Sequence, residues 1–202
     1  MSKNIKFYLQ LSLLAMVIPI KSEQDTNPDL ALNYFMQGEF LMSQCNYALA
    51  ILEFQEAIAL DPNVSTIHVA IADGFSRIGK LKRSETHLKI AIELDPNETE
   101  GLDMLGQIYF SQKKYNDAQQ VYKRLHSTDP DNLDYIFTIA DLYRAQKNWD
   151  LSIDYYILAY DVNTLAVKGL EQALQIALST SKLKRAEEIC ELMHNDAPDD
   201  ID

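Results

Sequence analysis

The sequence predicts an all-α solenoid of about five helix-turn-helix units, and three observations carry that prediction. Pro62, Pro96 and Pro130 stand 34 residues apart, each behind an aspartate (Asp61, Asp95, Asp129). Small residues recur on the same ruler, in one column as Gly38, Ala72, Gly106 and Ala140 and in another as Ala50, Ser84, Ala118, Ser152 and Ala186. The 202 residues include only 6 Gly and 6 Pro, and long stretches lack both, which favours helices over strands and tight turns. With 47% hydrophobic residues, the chain can bury a core without disulfides or metals.

Residues 1–22 stand apart from the repeat. They carry Lys3, Lys6 and Lys21, no acidic residue, and the mostly apolar run Phe7 to Ile20, the layout of a secretory signal. That run is shorter than the roughly 20 residues a membrane span needs, so cleavage after Ser22 is expected, with an uncleaved anchor as the alternative. Residues 23–30 read as a linker. The units then follow as 31–64, 65–98, 99–132, 133–166 and 167–202. The first has Gln37 where later units have Ile71, Leu105 and Ile139, as suits a cap facing water. In the second and third, Ser65 and Thr99 stand where a side-chain oxygen can cap the next helix. The fourth ends without proline, in Val162, Asn163 and Thr164. The fifth puts Leu174 in the small column, and behind it stand only Pro198 and four residues. No polar cap follows, so self-association through the C-terminal repeat, or continuation in a longer array, is expected.

Three further columns complete the pattern: Tyr47, Leu81, Tyr115, Trp149, Leu183; Leu41, Phe75, Tyr109, Tyr143, Ala177; and Phe54, Leu88, Tyr122, Tyr156, Cys190. Over residues 31 to 200 this arrangement resembles the tetratricopeptide repeat family, which implies a right-handed α-solenoid. Its logic is steric: small residues let two antiparallel helices approach while the aromatics fill the space beside them.

The resemblance implies a partner-binding groove lined by the first helix of each unit. Carried across residue by residue, its places are Phe35, Glu39 and Met42; Val69, Asp73, Ser76 and Arg77; Asp103, Gln107 and Phe110; Asp134, Phe137, Asp141 and Arg144; and Lys168, Glu171 and Gln175. Members that bind chaperone C-terminal tails use a clamp of Lys, Arg and Asn for two carboxylates. Here Phe35, Glu39 and Met104 hold the matching places, so that clamp is missing. A lining of carboxylates with exposed aromatics suits a partner segment carrying Lys or Arg and apolar anchors.

The remaining chemistry is sparse. His68, His87, His126 and His194 show no three- or four-residue spacing for a metal on one helix face, and no phosphate loop or nucleophile elbow is present. No cofactor, metal or small-molecule substrate is expected. The net charge of −12 disfavours nucleic acid. Cys45 in repeat one and Cys190 in repeat five are too far apart for a disulfide, with Cys190 in a packing column and Cys45 exposed in a turn. The function expected is a non-catalytic scaffold of the cell envelope, periplasmic or membrane-tethered. The alternatives are a targeting or regulatory arm of a larger enzyme or assembly, and a cytosolic chaperone adaptor.

Overall fold

The computed structural model describes residues 28–195, so the expected signal segment 1–22 and the proline column at Pro198 lie outside the described residues. Among the described residues ten helices run in order: α1 (Pro28–Ser43), α2 (Tyr47–Leu60), α3 (Ser65–Arg77), α4 (Leu81–Leu94), α5 (Thr99–Ser111), α6 (Tyr115–Thr128), α7 (Leu133–Ala145), α8 (Trp149–Val162), α9 (Val167–Ser179) and α10 (Leu183–Asn195). Each pairs with its neighbours in sequence, so the array is close to one-dimensional. Its core is a chain of clusters rather than one centre: Ile92, Tyr109 and Val121 belong to two adjoining clusters, and Tyr155 links the next two.

The small columns close the helix pairs as expected. Ala50, Ser84, Ala118 and Ser152 are fully buried. A Cβ added to Gly38 would stand 2.3 Å from the Phe54 ring, and one added to Gly106 would stand 2.6 Å from the Tyr122 ring. Leu174 takes the small column's place on α9, and a separate close approach, between units, brings Gly169 of α9 against the Tyr156 carbonyl of α8.

Two kinds of turn join the helices. Within each unit the chain leaves the first helix through one left-handed residue, at Cys45, Gly79, Lys113, Lys147 and Ser181, with φ near 60° at the four that are not glycine. The following N–H then reaches back across the helix end, as from Asn46 to the Leu41 carbonyl and from Lys114 to the Tyr109 carbonyl. Between units, Asp61 and Asp95 accept bonds from the N–H groups of Asn63 and Asn97, and the intervening prolines keep each aspartate extended. Repeat four has no proline, yet Asn163 accepts from the Leu165 N–H in the same way. Asn163 thus makes this turn without proline, whereas Asp129 accepts from the Asn132 side-chain amide instead.

Several expectations need correction. Ser65 and Thr99 are the first helical residues rather than caps: the cap positions are Val64 and Glu98, and neither makes a side-chain cap bond. Residues 28–30, read as linker, belong to α1. The first unit is not a simple polar cap. Gln37 is exposed, but so are Leu32, Met36 and Phe40 on α1 and Leu49 and Leu52 on α2. Cys190 is exposed rather than packed, since α10 has no helix beyond it among the described residues. Cys45 is exposed, and both cysteines are free thiols.

Candidate partner-binding groove

Along the first helices run three adjoining recesses. One lies between α1 and α3 and includes Phe35, Glu39, Met42, Val69 and Asp73, with Glu100 of α5. The next, of about 670 Å³, joins Asp73, Ser76 and Arg77 to Glu100, Asp103, Met104 and Gln107. The third, of about 500 Å³, takes Asp103, Gln107 and Phe110 on to Asp134, Phe137 and Asp141. Shared walls make them one groove: Asp73 and Glu100 belong to the first two, Asp103 and Gln107 to the last two.

The expected lining is therefore brought together over four repeats. Arg144 joins it indirectly, with its guanidinium 2.6 Å from Asp141 and a second bond to Gln172 of α9. Lys168, Glu171 and Gln175 of repeat five do not line these recesses. The aromatics differ from expectation. Phe35 and Phe137 are half-buried, packed on Phe54 and Tyr156 at centroid distances of 5.7 and 6.0 Å. Phe110 is the more open of the three at 38% exposure, with its ring edge toward Tyr115.

Two of the expected carboxylates accept from tyrosine hydroxyls. Gly106 leaves room for the Tyr122 ring beside α5, and the tyrosine hydroxyl donates to Asp103 over 2.9 Å while Gln107 donates to the other oxygen. The Tyr156 hydroxyl likewise donates to Asp141 past Ala140. Burial, reinforced by the aspartates, holds both phenols well above the ordinary tyrosine range, so both stay protonated donors. In repeats one and two the same column holds Phe54 and Leu88, which carry no hydroxyl. Sequence reasoning placed Tyr122 and Tyr156 in the core and missed the hydroxyls that reach the groove. The small residue opposite each was the available signal.

At the other end the carboxylates stand close together. Glu39 is raised above the usual carboxylate range, first by burial and then by the charges of Glu100 and Asp73. Glu100 was not singled out from sequence, although it stands one period before Asp134. The groove gathers Glu39, Asp73, Glu100, Asp103, Asp134 and Asp141 against two guanidinium groups, and Arg77 lies 3.1 Å from Asp73. A groove of this kind can hold a cationic side chain, with apolar contacts available from Met42, Met104 and Phe110. Elsewhere the fold brings together His68 and His87, which no sequence spacing linked, with their Nδ1 atoms 3.2 Å apart. No group of three or more metal-binding side chains exists among the described residues.

Residues 99–132, the third unit, match the family model described as Tetratricopeptide repeat. Over 117 residues the chain is 26% identical to the Hsp70-Hsp90 organizing protein 3 of Arabidopsis thaliana, covering 58% of this chain and 21% of that protein. The chain thus spans about a fifth of the length of such curated relatives. Among solved structures, MamA (41-end) of Desulfovibrio magneticus RS-1 superposes with a TM-score of 0.70 at 16% identity, over 84% of this chain and 98% of that one. The first TPR of Spaghetti (RPAP3), bound to the HSP90 peptide SRMEEVD, superposes at 0.58 with 20% identity, over 61% and 98%. With the period, the helix pairs and the matched third unit in agreement, the chain carries a tetratricopeptide repeat at residues 99–132 within an array of the tetratricopeptide repeat fold.

Proposed function

We propose that this chain is a non-catalytic protein-interaction scaffold whose groove holds a segment of another protein that carries Lys or Arg beside apolar anchors. The observation that carries the reading is the gathering of Glu39, Asp73 and Glu100 around one recess, where burial first and then the neighbouring charges hold Glu39 above its ordinary range. An incoming cation relieves that repulsion, and the neighbouring Met and Phe side chains supply contact area. The relative solved with an HSP90 peptide holds SRMEEVD, which ends in acidic residues. An acidic groove disfavours such a tail, so the proposed partner is of the opposite charge.

The test uses defined peptides. A fluorescent peptide alternating Lys with Leu and Phe should bind the full chain in a salt-sensitive manner, and its Glu-for-Lys counterpart should not. Glu39→Lys combined with Glu100→Lys should weaken the basic peptide by tenfold or more, about 1.4 kcal/mol. Asp103 and Asp141 are poor choices for this test because each accepts a bond from a tyrosine hydroxyl. Equal binding of the acidic peptide, or no effect of the double substitution, refutes the reading.

Export belongs to the same proposal and rests on the basic-apolar pattern of residues 1–22. An envelope scaffold, periplasmic or tethered, would then display this groove outside the cytoplasm. N-terminal sequencing of the protein from its native host should read Glu23 as the first residue; a cytoplasmic protein retaining residues 1–22 refutes export.

A further inference from the structure

Away from the groove, the seam between repeats two and three holds a recess of about 460 Å³. Its apolar floor consists of Ile92 of α4, Leu102, Leu105 and Tyr109 of α5, and Val121 of α6. On α5 these residues project from the side opposite Asp103 and Gln107, so this recess and the groove are separate surfaces.

The next seam, between repeats three and four, repeats the frame 34 residues on. Lys89 stands over the Tyr109 ring at 5.9 Å, and Lys123 stands over the Tyr143 ring at 5.4 Å. Ile92 corresponds to His126, and Val121 corresponds to Tyr155. There the chain fills its own seam: the Tyr155 ring lies 5.5 Å from Tyr143 and 6.3 Å from His126. Valine lacks that ring, and the recess opens where the ring would lie.

We propose that the recess between α4, α5 and α6 is a second docking site and that it receives a tyrosine side chain from a partner protein, in the place Tyr155 takes one repeat later. A phenol suits both parts of the site. Its ring meets the apolar floor and Tyr109, while its hydroxyl reaches a rim of mixed charge, Lys89, Glu93, Asp117 and Arg124, that favours a polar tip without demanding a net charge. Arg124 is held at that rim by its bond to the Pro96 carbonyl.

The probe is p-cresol, with toluene as its counterpart lacking the hydroxyl, titrated into the full chain and followed by methyl and amide NMR. Saturable shifts are expected at Ile92, Leu102, Leu105 and Val121, with toluene binding more weakly. Val121→Tyr should fill the recess, raise Tm and weaken p-cresol at least about tenfold. Tyr155→Val should create a second p-cresol site beside Tyr143 and His126, which keeps the test alive if Val121→Tyr does not fold. Shifts that fail to saturate, or that persist in Val121→Tyr, overturn the site. No second site in a folded Tyr155→Val chain overturns the equivalence of the seams, and toluene binding as tightly as p-cresol overturns the assignment to tyrosine.

Discussion

Substituting Gly106 by alanine sets two known effects against each other. Alanine is better than glycine within a helix by about 0.8–1.0 kcal/mol. Its Cβ, however, would stand 2.6, 3.1 and 3.2 Å from Cε2, Cζ and Cδ2 of Tyr122, where carbon pairs prefer about 3.5–4.0 Å. The ring cannot swing aside freely, because its hydroxyl is bonded to Asp103 over 2.9 Å, and a hydrogen bond to a charged group contributes about 1.5–3 kcal/mol. Overpacking of this kind costs about 1–3 kcal/mol, so Gly106→Ala should be destabilising by about 1 kcal/mol after the helical gain. Ala140 is tolerated opposite Tyr156 because that hydroxyl reaches Asp141, just past Ala140, whereas Tyr122 leans back toward Asp103. Repeat two supplies the control. Ala72 and Leu88 occupy the same two columns, both fully buried, so Gly106→Ala with Tyr122→Leu copies a pair this chain already packs. The double variant should be more stable than the sum of the single changes implies, with a coupling of at least about 1 kcal/mol. Urea unfolding followed by circular dichroism reads the single change as a midpoint lowered by about 0.5 M at an m-value near 2 kcal/mol/M. If Gly106→Ala raises the midpoint, helix propensity alone governs the site and the ring contact is not what fixes glycine there.

Two further outcomes follow from the turns and the histidines. Lys147 holds φ at 60°, where a side chain costs about 1–2 kcal/mol relative to glycine, partly offset by glycine's greater freedom when unfolded. Lys147→Gly should therefore raise Tm by a few degrees. Gly79→Ala should lower it even though nothing lies within 4 Å of the added carbon; a neutral Gly79→Ala removes the strain argument. His68 and His87 are both held below the ordinary histidine value of 6.5, chiefly by burial, with the bond to the Pro62 carbonyl partly offsetting this at His68 and the neighbouring His68 adding to it at His87. The unfolded chain then binds protons first, so their contribution is present above about pH 6.5 and is lost as pH falls through the lower folded-state values. Thermal melts should show Tm falling with acidification across that window, and His87→Leu should flatten the fall; an unchanged slope in that variant places the dependence elsewhere.

The period was legible because steric selection acts on residue size, which is visible in a sequence. Ala50, Ser84, Ala118 and Ser152 differ in polarity, yet all are small and all are fully buried. The left-handed column one helix end away was not legible, although it is as regular. Cys45, Gly79, Lys113, Lys147 and Ser181 share a backbone angle and no side-chain property, and one residue's strain is small enough for almost any residue to occupy the position. Exposure at the first unit was hidden for another reason. Periodicity says which face of α1 would meet a neighbour, and Gln37 fits a cap, but Phe40 occupies the place of Gly74, which packs against Ile51 of the preceding unit. Nothing in a single helix's pattern says whether a covering partner exists.

The site divides along the same line. Groove places carried over by register came together in repeats one to four because register fixes the helical face, and Glu100 would have been found by applying Asp134's place to the preceding unit. What register cannot fix is reach. Whether the hydroxyl of a core tyrosine ends on the aspartate before the small residue or on the one after it depends on the lean of a single ring. That lean decides which carboxylates remain open to a partner. Asp103 and Asp141 looked like the natural anchors for a cation, and both spend an oxygen on a tyrosine. Glu39 shares its repeat with Phe54, which has no hydroxyl to offer, and Glu100 shares its repeat with Tyr122, whose hydroxyl is already given to Asp103. Glu39 and Glu100 are thus groove carboxylates that no tyrosine holds, and a partner's basic residue should be sought beside them, with its apolar contacts following toward Phe110.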